Sequence, residues 1–323
     1  MNLYLSSVHR IFTGGRFTNS YKFALARAIV KLAPQLGKGK LFISKDALAQ
    51  CFLEYYWPLE TAYHLRQGID PDKDPVVMVQ IRALVKKGVV EVGETLGAFK
   101  KRSGQEFENL LRLVRRTAFG DVLRRFHTVR QASVRPKFFE LSGGNRQSDG
   151  VMLTSYSKAA LVDYGKIIDY MAVAAWVDFT EGFTAAPKLF QKLSGEQPKR
   201  KAVTKWLPEL SRLQDCRCFY CREQVQDQGD IDHLMPWSFV LEDKTWNLVL
   251  ACRPCNSTKR DRVVSPEALQ RLLDRNEAIL KGALNVSPRF VRHFVEWKER
   301  DLSGHIRTLH AQAHQDGFPV WMD

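Results

Sequence analysis

Five of the six cysteines fall in two tight groups, Cys216-Arg217-Cys218-Phe219-Tyr220-Cys221 and Cys252-Arg253-Pro254-Cys255. Two Cys-x-x-Cys units separated by a spacer are what four thiolates need to close around one Zn²⁺. The spacer, residues 222–251, is 30 residues long. That exceeds the commonest zinc ribbons, but the two knuckles need only meet in space. Four thiolates leave no open coordination position, so such a metal holds structure and performs no hydrolysis. Cys218, Cys221, Cys252 and Cys255 are the expected ligands. Cys216 could replace Cys218, although Cys218 and Cys221 have the better knuckle spacing. Cys51 stands alone in an apolar, aromatic segment and reads as a core residue.

A different chemistry lies between the knuckles. Asp232-His233 ends an apolar-polar alternation that suggests a strand, Trp246-Asn247-Leu248-Val249-Leu250 reads as a second strand, and Asn256 begins a short polar helix with Lys259, Arg260 and Arg262. A neutral imidazole, with an unperturbed pKa of about 6.5, can deprotonate water near pH 7, which makes His233 a candidate general base. Asp232 and Asn256 offer one charged and one neutral oxygen, a sparse hard pair that suits Mg²⁺ or Mn²⁺. The Asn247 amide is placed to hold the loop bearing His233. Lys259, Arg260 and Arg262 are candidate phosphate contacts. Successive strand residues point to opposite faces, so Asp232 and His233 share a site only if the strand ends or distorts there. Pro236, which cannot donate to a ladder, makes an early end credible.

On these residues the sequence resembles the HNH (ββα-metal) endonuclease family. The pattern Asp-His … Asn … Cys-x-x-Cys-Asn-x-x-Lys is carried by Asp232, His233, Asn247, Cys252, Cys255, Asn256 and Lys259. The run from Asp232 to Ser238 is similar to that of many bacterial HNH proteins. The third position is Asn256 rather than histidine, as in the HNH domain of the RNA-guided CRISPR nuclease. The resemblance implies a metal-dependent endonuclease that hydrolyses DNA, with Asp232, His233, Asn247 and Asn256 in its catalytic site. A single motif implies nicking by a monomer. The alternative is a zinc-stabilised DNA-binding or partner-regulated subunit whose cleavage is silent until triggered. Loss of His233 or Asn256 would favour that alternative, and neither is lost. An HNH unit in a helical frame is also similar in layout to effectors of bacterial anti-phage defence, including the type II Zorya nuclease. Other proteins of a defence or restriction system are then expected partners.

The surrounding elements read as mostly helical. Asn19 and Ser20 cap a helix through Leu32, ended by Pro34 and Gly37. Ser44 opens a second with Leu48, Cys51, Phe52 and Tyr55, stopped near Pro58. A third runs from Pro75 to Lys87. A fourth, long and basic, runs from Ser103 to about His127. A β-hairpin is expected within 136–157, around the polar stretch 142–150, and a helix follows from Lys158 to Phe179. Ser265-Pro266 and Ser287-Pro288 each read as an N-cap followed by proline at the first helical position, and a last helix covers Leu302–His314. The fold class is α+β, mostly α-helical: a helical N-terminal region over 1–198, then an HNH domain over 199–323, whose zinc-stapled core is 216–262 and which ends in helices. The boundary is set in the Pro- and Lys-rich connector 187–201.

Composition agrees with this reading. The chain of 323 residues is 45% hydrophobic and 26% charged, proportions that support a core without disulfides. Forty-nine Lys and Arg against 35 Asp and Glu give +14 and a pI near 9.6, a balance that favours nucleic acid as partner. Lys100-Lys101-Arg102, the arginines between Arg112 and Arg130, and Lys199-Arg200-Lys201 could grip a phosphate backbone without reading sequence. The longest apolar run, Met171–Val177, is far short of the roughly 20 residues a spanning helix needs, and no secretory signal pattern is present. A cytoplasmic protein without membrane insertion is expected.

Overall fold

Asn2, Ser44, Thr95 and Thr154 each end an extended stretch with a side-chain oxygen that accepts from a backbone amide two or three residues on, and a helix starts after each. The computed structural model describes all residues except 1, 16, 71, 72, 92, 143–148, 197, 226–228 and 323. It divides into two units, Met1–Thr184 with Leu189–Glu196, and Ala185–Lys188 with Gln197–Asp323.

The first unit runs through α1 (Leu3–Gly14), α2 (Tyr21–Leu32), β1 (Phe42–Ser44), α3 (Lys45–Thr61), α4 (Val76–Lys86), α5 (Leu96–Arg102), α6 (Gly104–Thr117) and α7 (Gly120–Arg125). It continues through β2 (Thr128–Val129), β3 (Ala132–Ser133), β4 (Glu140–Leu141), β5 (Gly150–Met152), α8 (Ser155–Glu181) and α9 (Leu189–Ser194). Helix α2 is its centre: Phe23, Ala24, Leu25, Ala26, Ala28 and Ile29 are all fully buried. Small residues let α8 come close, and a Cβ built at Gly165 would sit 3.3 Å from Val30. Around α2 lie Phe52, Tyr56 and Trp176, and the Trp176 indole donates to Gln67 Oε1 at 2.7 Å. Truncating any one of these aromatics should cost about 3–5 kcal/mol. Tyr56 and Trp57 are therefore core residues. A small antiparallel sheet of order β1-β5-β4 pairs Phe42 and Glu140 with Met152 on its two sides.

Several boundaries differ from the sequence expectation. Helix α3 passes Pro58 and ends at Thr61, because a proline in the last turn interrupts few further bonds, and its carbonyl accepts from both Ala62 and Tyr63. The long basic helix is two helices, α6 and α7, broken at Ala118-Phe119. The break buries Phe119 against Phe52, ring centroids 4.8 Å apart, and Gly120 lowers the cost of leaving the helix. The connector is not all linker: α9 returns to the first unit, where the Arg27 guanidinium donates to the carbonyls of Leu193 and Ser194. Helices α1 and α5 went unread in the sequence, and the tip of the β4–β5 hairpin lies outside the described residues.

The second unit contains α10 (Leu207–Leu213), β6 (Asp230–His233), α11 (Trp237–Val240), β7 (Leu248–Ala251), α12 (Arg253–Lys259), α13 (Pro266–Leu280), α14 (Pro288–Val291) and α15 (Leu302–Gln315). Strands β6 and β7 pair antiparallel, Asp230 opposite Ala251 through His233 opposite Leu248. From α13, the buried Arg275 donates to the Leu248 carbonyl at 2.6 Å and the Trp246 carbonyl at 3.1 Å. Burial pushes that guanidinium down to about 9. Asn276 donates to the same Trp246 carbonyl. The start of β7 is thus held by side chains from α13. The fold is α+β and mostly helical, and no described helix is long and apolar enough to cross a membrane.

One buried histidine makes the first unit acid-sensitive. His127 Nε2 accepts the Phe138 amide at 2.8 Å, which requires the neutral ring. Burial, aided by the charges of Lys137 and Lys22, lowers its pKa from 6.5 to about 3. The folded value lies below the unfolded one, so the unfolded chain takes the proton first. Stability is complete above pH 6.5 and is lost as pH falls towards 3, by about 2 kcal/mol at pH 5. His127→Gln, which keeps an acceptor but does not titrate, should lose less between pH 7 and pH 5 in denaturant unfolding. Equal losses in the two proteins would show that His127 is not the titrating group.

Candidate metal centre and active site

Each cysteine knuckle is shaped by backbone bonds before any metal is considered. The Cys218 amide donates to the Glu223 carbonyl at 2.9 Å, and the Arg222 amide returns to the Cys218 carbonyl at 3.1 Å. Arg222 takes φ 65° to close this turn. The Phe219 amide bonds Leu250 of β7 at 2.9 Å, which fastens the first knuckle to the hairpin. Cys252 caps α12, where the Asn256 amide bonds its carbonyl at 3.0 Å. The sulfurs of Cys218, Cys221, Cys252 and Cys255 lie within 4.8 Å of one another, Cys221 and Cys252 being 3.8 Å apart. A Zn–S tetrahedron with bonds of about 2.3 Å has edges of about 3.8 Å, so the cluster fits a structural zinc. Burial pushes the Cys218 thiol up, but amide donors of Cys252, Cys221 and Tyr220 outweigh it and hold the thiol below its ordinary value. Cys216 is exposed and outside the cluster, its backbone bonded to Ser211 and Val225.

The order β6, β7, α12 places the polar residues. Asn247 is fully buried; its Oδ1 accepts from the Met235 amide at 2.8 Å and its Nδ2 donates to the Met235 carbonyl at 3.0 Å. One amide side chain thereby replaces a strand partner immediately after β6 ends. The Leu234 amide bonds the Asn247 carbonyl as well. The chain that leaves His233 is held at both ends of one residue.

His233 has a partner that spacing did not reveal. Its Nε2 lies 3.0 Å from Asp243 Oδ1, and Asp243 Oδ2 accepts the Lys201 amide at 2.8 Å. Both side chains are largely buried, 13% and 8% exposed. Burial pushes the imidazole below its ordinary pKa, against the opposing pull of Asp243 and Asp232 and with a small push from Arg200. The ring is therefore neutral at pH 7. A neutral ring that donates from Nε2 to a carboxylate keeps its lone pair on Nδ1. Asp243 sits in the segment between the strands, where sequence offers no periodicity to mark it.

Asp232 faces inward. Tyr220 donates to its Oδ2 at 2.5 Å, and the Lys259 ammonium lies 2.9 Å from the same oxygen. Both contacts use Oδ2, which leaves Oδ1 for another ligand. Lys259 also donates to the His233 carbonyl at 2.8 Å, and its side chain is 0% exposed. This corrects the expectation of a phosphate contact: Lys259 is an internal cation that joins the end of α12 to β6. Asn256 Nδ2 donates to Asp230 Oδ2 at 3.1 Å, so a second carboxylate, missed in the sequence, stands two residues before Asp232. Helix α12 starts at Arg253, three residues before the expected start at Asn256. Arg260 and Arg262 are exposed. Asp232 and His233 take different partners, as strand alternation requires. Arg200 packs over Trp237 at 4.5 Å. Of the other basic runs, Arg102 is engaged by Glu94 and Arg124 by Asp121.

Residues 218–265 match the family model described as HNH endonuclease. No curated protein and no solved structure matches the chain. The 218–265 segment thus carries the HNH signature on a ββα frame, with four cysteines clustered at metal-binding distance.

Two outcomes follow from this geometry. Purified protein should hold about one zinc per chain, and Cys252→Ser should lose it and become protease-sensitive in the second unit; full zinc content in a Cys252/Cys255 double variant would contradict the site. Lys259→Met strands the Asp232 carboxylate and should destabilise the HNH unit by about 3 kcal/mol or more. A Lys259→Met protein that melts like wild type yet binds DNA weakly would return Lys259 to the role of phosphate contact.

Proposed function

We propose that the HNH unit is a metal-dependent endonuclease that hydrolyses DNA phosphodiester bonds, with His233 as its general base. The observation that carries this reading is the buried His233–Asp243 pair, set at the end of β6 inside the matched segment. Nδ1 of His233 takes a proton from water, the resulting hydroxide forms a bond to phosphorus, and the 3′-oxygen leaves. Asp243 keeps the ring oriented and stabilises the imidazolium that forms. The Asn247 clamp on Met235 keeps the ring from swinging away with its loop.

The oxygens that remain suit a hard cation. Asp232 keeps Oδ1 free of Tyr220 and Lys259, and Asn256, which donates through its nitrogen, keeps its carbonyl oxygen. These residues would hold Mg²⁺ or Mn²⁺, which supplies charge neutralisation on the phosphate and the leaving oxygen. Asp230 fixes the Asn256 amide. Arg260 and Arg262, both exposed, would contact backbone phosphates, and the net charge of +14 supports DNA as substrate through counterion release.

One base and one cation address one scissile phosphate per encounter, and the sequence holds one such motif. A monomer should therefore nick. Incubated with supercoiled plasmid and Mg²⁺ or Mn²⁺, the protein should give open circles first and linear DNA late, and EDTA should stop it. His233→Ala should abolish cleavage with zinc content and DNA affinity intact. Asp243→Asn should slow it by roughly ten- to a thousandfold with no change in affinity. Wild-type cleavage by His233→Ala would remove the proposed base, and prompt linearisation by a proven monomer would remove the nicking model.

A further inference from the structure

The first unit holds a pocket of about 850 Å³ between the start of α2, the α6–α7 junction and the β2–β3 hairpin. Its polar wall is cationic. Lys22, Arg124, Arg125 and Arg130 line it, against one carboxylate, Asp121. Four cations and one carboxylate leave three positive charges. Asp121 is committed to Arg124 at 2.6 Å, and Arg124 also donates to the Gly120 carbonyl. Among the described residues, Arg125 and Arg130 have no ion-pair partner. Lys22 reaches the Thr128 carbonyl at 3.1 Å and lies 5.8 Å from the Phe17 ring. Burial without a carboxylate pushes its ammonium down to about 8. A cation that has given up water without gaining an anion is an unfavourable arrangement that an anionic ligand would relieve.

The hairpin adds an independent sign. Arg130 and Gln131 take φ 45° and 69°, the left-handed conformation that two-residue hairpin turns normally assign to Asn-Gly. Each non-glycine residue there costs about 1 kcal/mol. The strain is kept while an arginine is held at the mouth of the pocket, which is how strain at binding sites is commonly retained. The lining is also partly apolar, with the half-buried Phe17 ring and Val122.

We propose that this pocket binds a free nucleoside polyphosphate, its phosphates against Lys22, Arg125 and Arg130 and its base against Phe17. Three uncompensated charges suit a polyphosphate better than a single phosphate. The volume falls in the range of small-molecule sites. The proposal does not rest on the nuclease reading.

Isothermal titration calorimetry of the full-length, zinc-loaded protein, in buffer without added Mg²⁺ or Mn²⁺, tests it, with ATP, inorganic pyrophosphate and a 12-nucleotide single-stranded DNA as titrants. ATP should bind saturably with one site per chain and more tightly than pyrophosphate, which should compete with it. Arg125→Ala and Arg130→Ala should each weaken ATP at least tenfold, Arg130→Lys less, and His233→Ala not at all. Both arginines are exposed, and thermal melting checks that the variants fold. If they do not, ATP–pyrophosphate competition on wild type decides. Absence of ATP binding at millimolar concentration, or equal affinity in wild type and both alanine variants, would overturn the proposal. So would DNA binding that both variants weaken and ATP fails to displace, which would assign the arginines to a nucleic-acid backbone. Pyrophosphate binding as tight as ATP would overturn the part given to the base.

Discussion

Strands β6 and β7 share only four residue pairs, α12 has seven residues, and an isolated hairpin of this length is marginal in water. Closure of four sulfurs drawn from both ends of a 30-residue spacer compensates for that. The first knuckle is bonded to β7 through Phe219 and Leu250, and the second is continuous with α12. A metal held by the four sulfurs would set the angle between strand and helix, and with it the distance from Asn256 to the acidic residues of β6. Four thiolates leave such a metal no open coordination position.

Inside that frame the ionic groups divide into two kinds. Lys259 is taken fully out of water, and its three donors find Asp232, the His233 carbonyl and, more weakly, the Arg260 carbonyl. An internal ammonium with such partners is a positioning device; it fixes one carboxylate oxygen and the backbone of the residue that carries the imidazole. Asp243 does the same for the ring itself, and is in turn held by the Lys201 amide. The imidazole is thereby desolvated, neutral and oriented, three properties a general base needs together. Arg260 and Arg262 remain exposed just after α12, and among the described residues neither has an ion-pair partner.

The first unit is organised by a different constraint, close packing around α2. Alanines on that helix and Gly165 on α8 bring the two backbones near, and the aromatic residues of α3 and α8 fill the flanks. The same demand breaks the basic helix at Phe119, because burying that ring is worth more than a continuous run of helical bonds. The pocket lined by Lys22, Arg125 and Arg130 lies beside this break.

The clustering of Cys218, Cys221, Cys252 and Cys255 and the strand–strand–helix order around them were legible in the sequence, because spacing and residue type alone specify metal knuckles and a short strand–strand–helix run. Helix caps at Ser44, Ser265 and Ser287 were legible for the same local reason: the capping oxygen and the amide it accepts are two or three residues apart. Lys259, by contrast, reads as a surface cation in any local window, and only the approach of α12 to β6 shows that its ammonium is internal. Asp243 lies ten residues from His233 with no periodic relation to it, and Asp230 is 26 residues from Asn256. Those pairings are long-range contacts, and no local propensity encodes them. The break at Phe119 and the passage of α3 through Pro58 belong with them, because each was decided by what the surrounding core could bury, a quantity that exists only once the chain has folded.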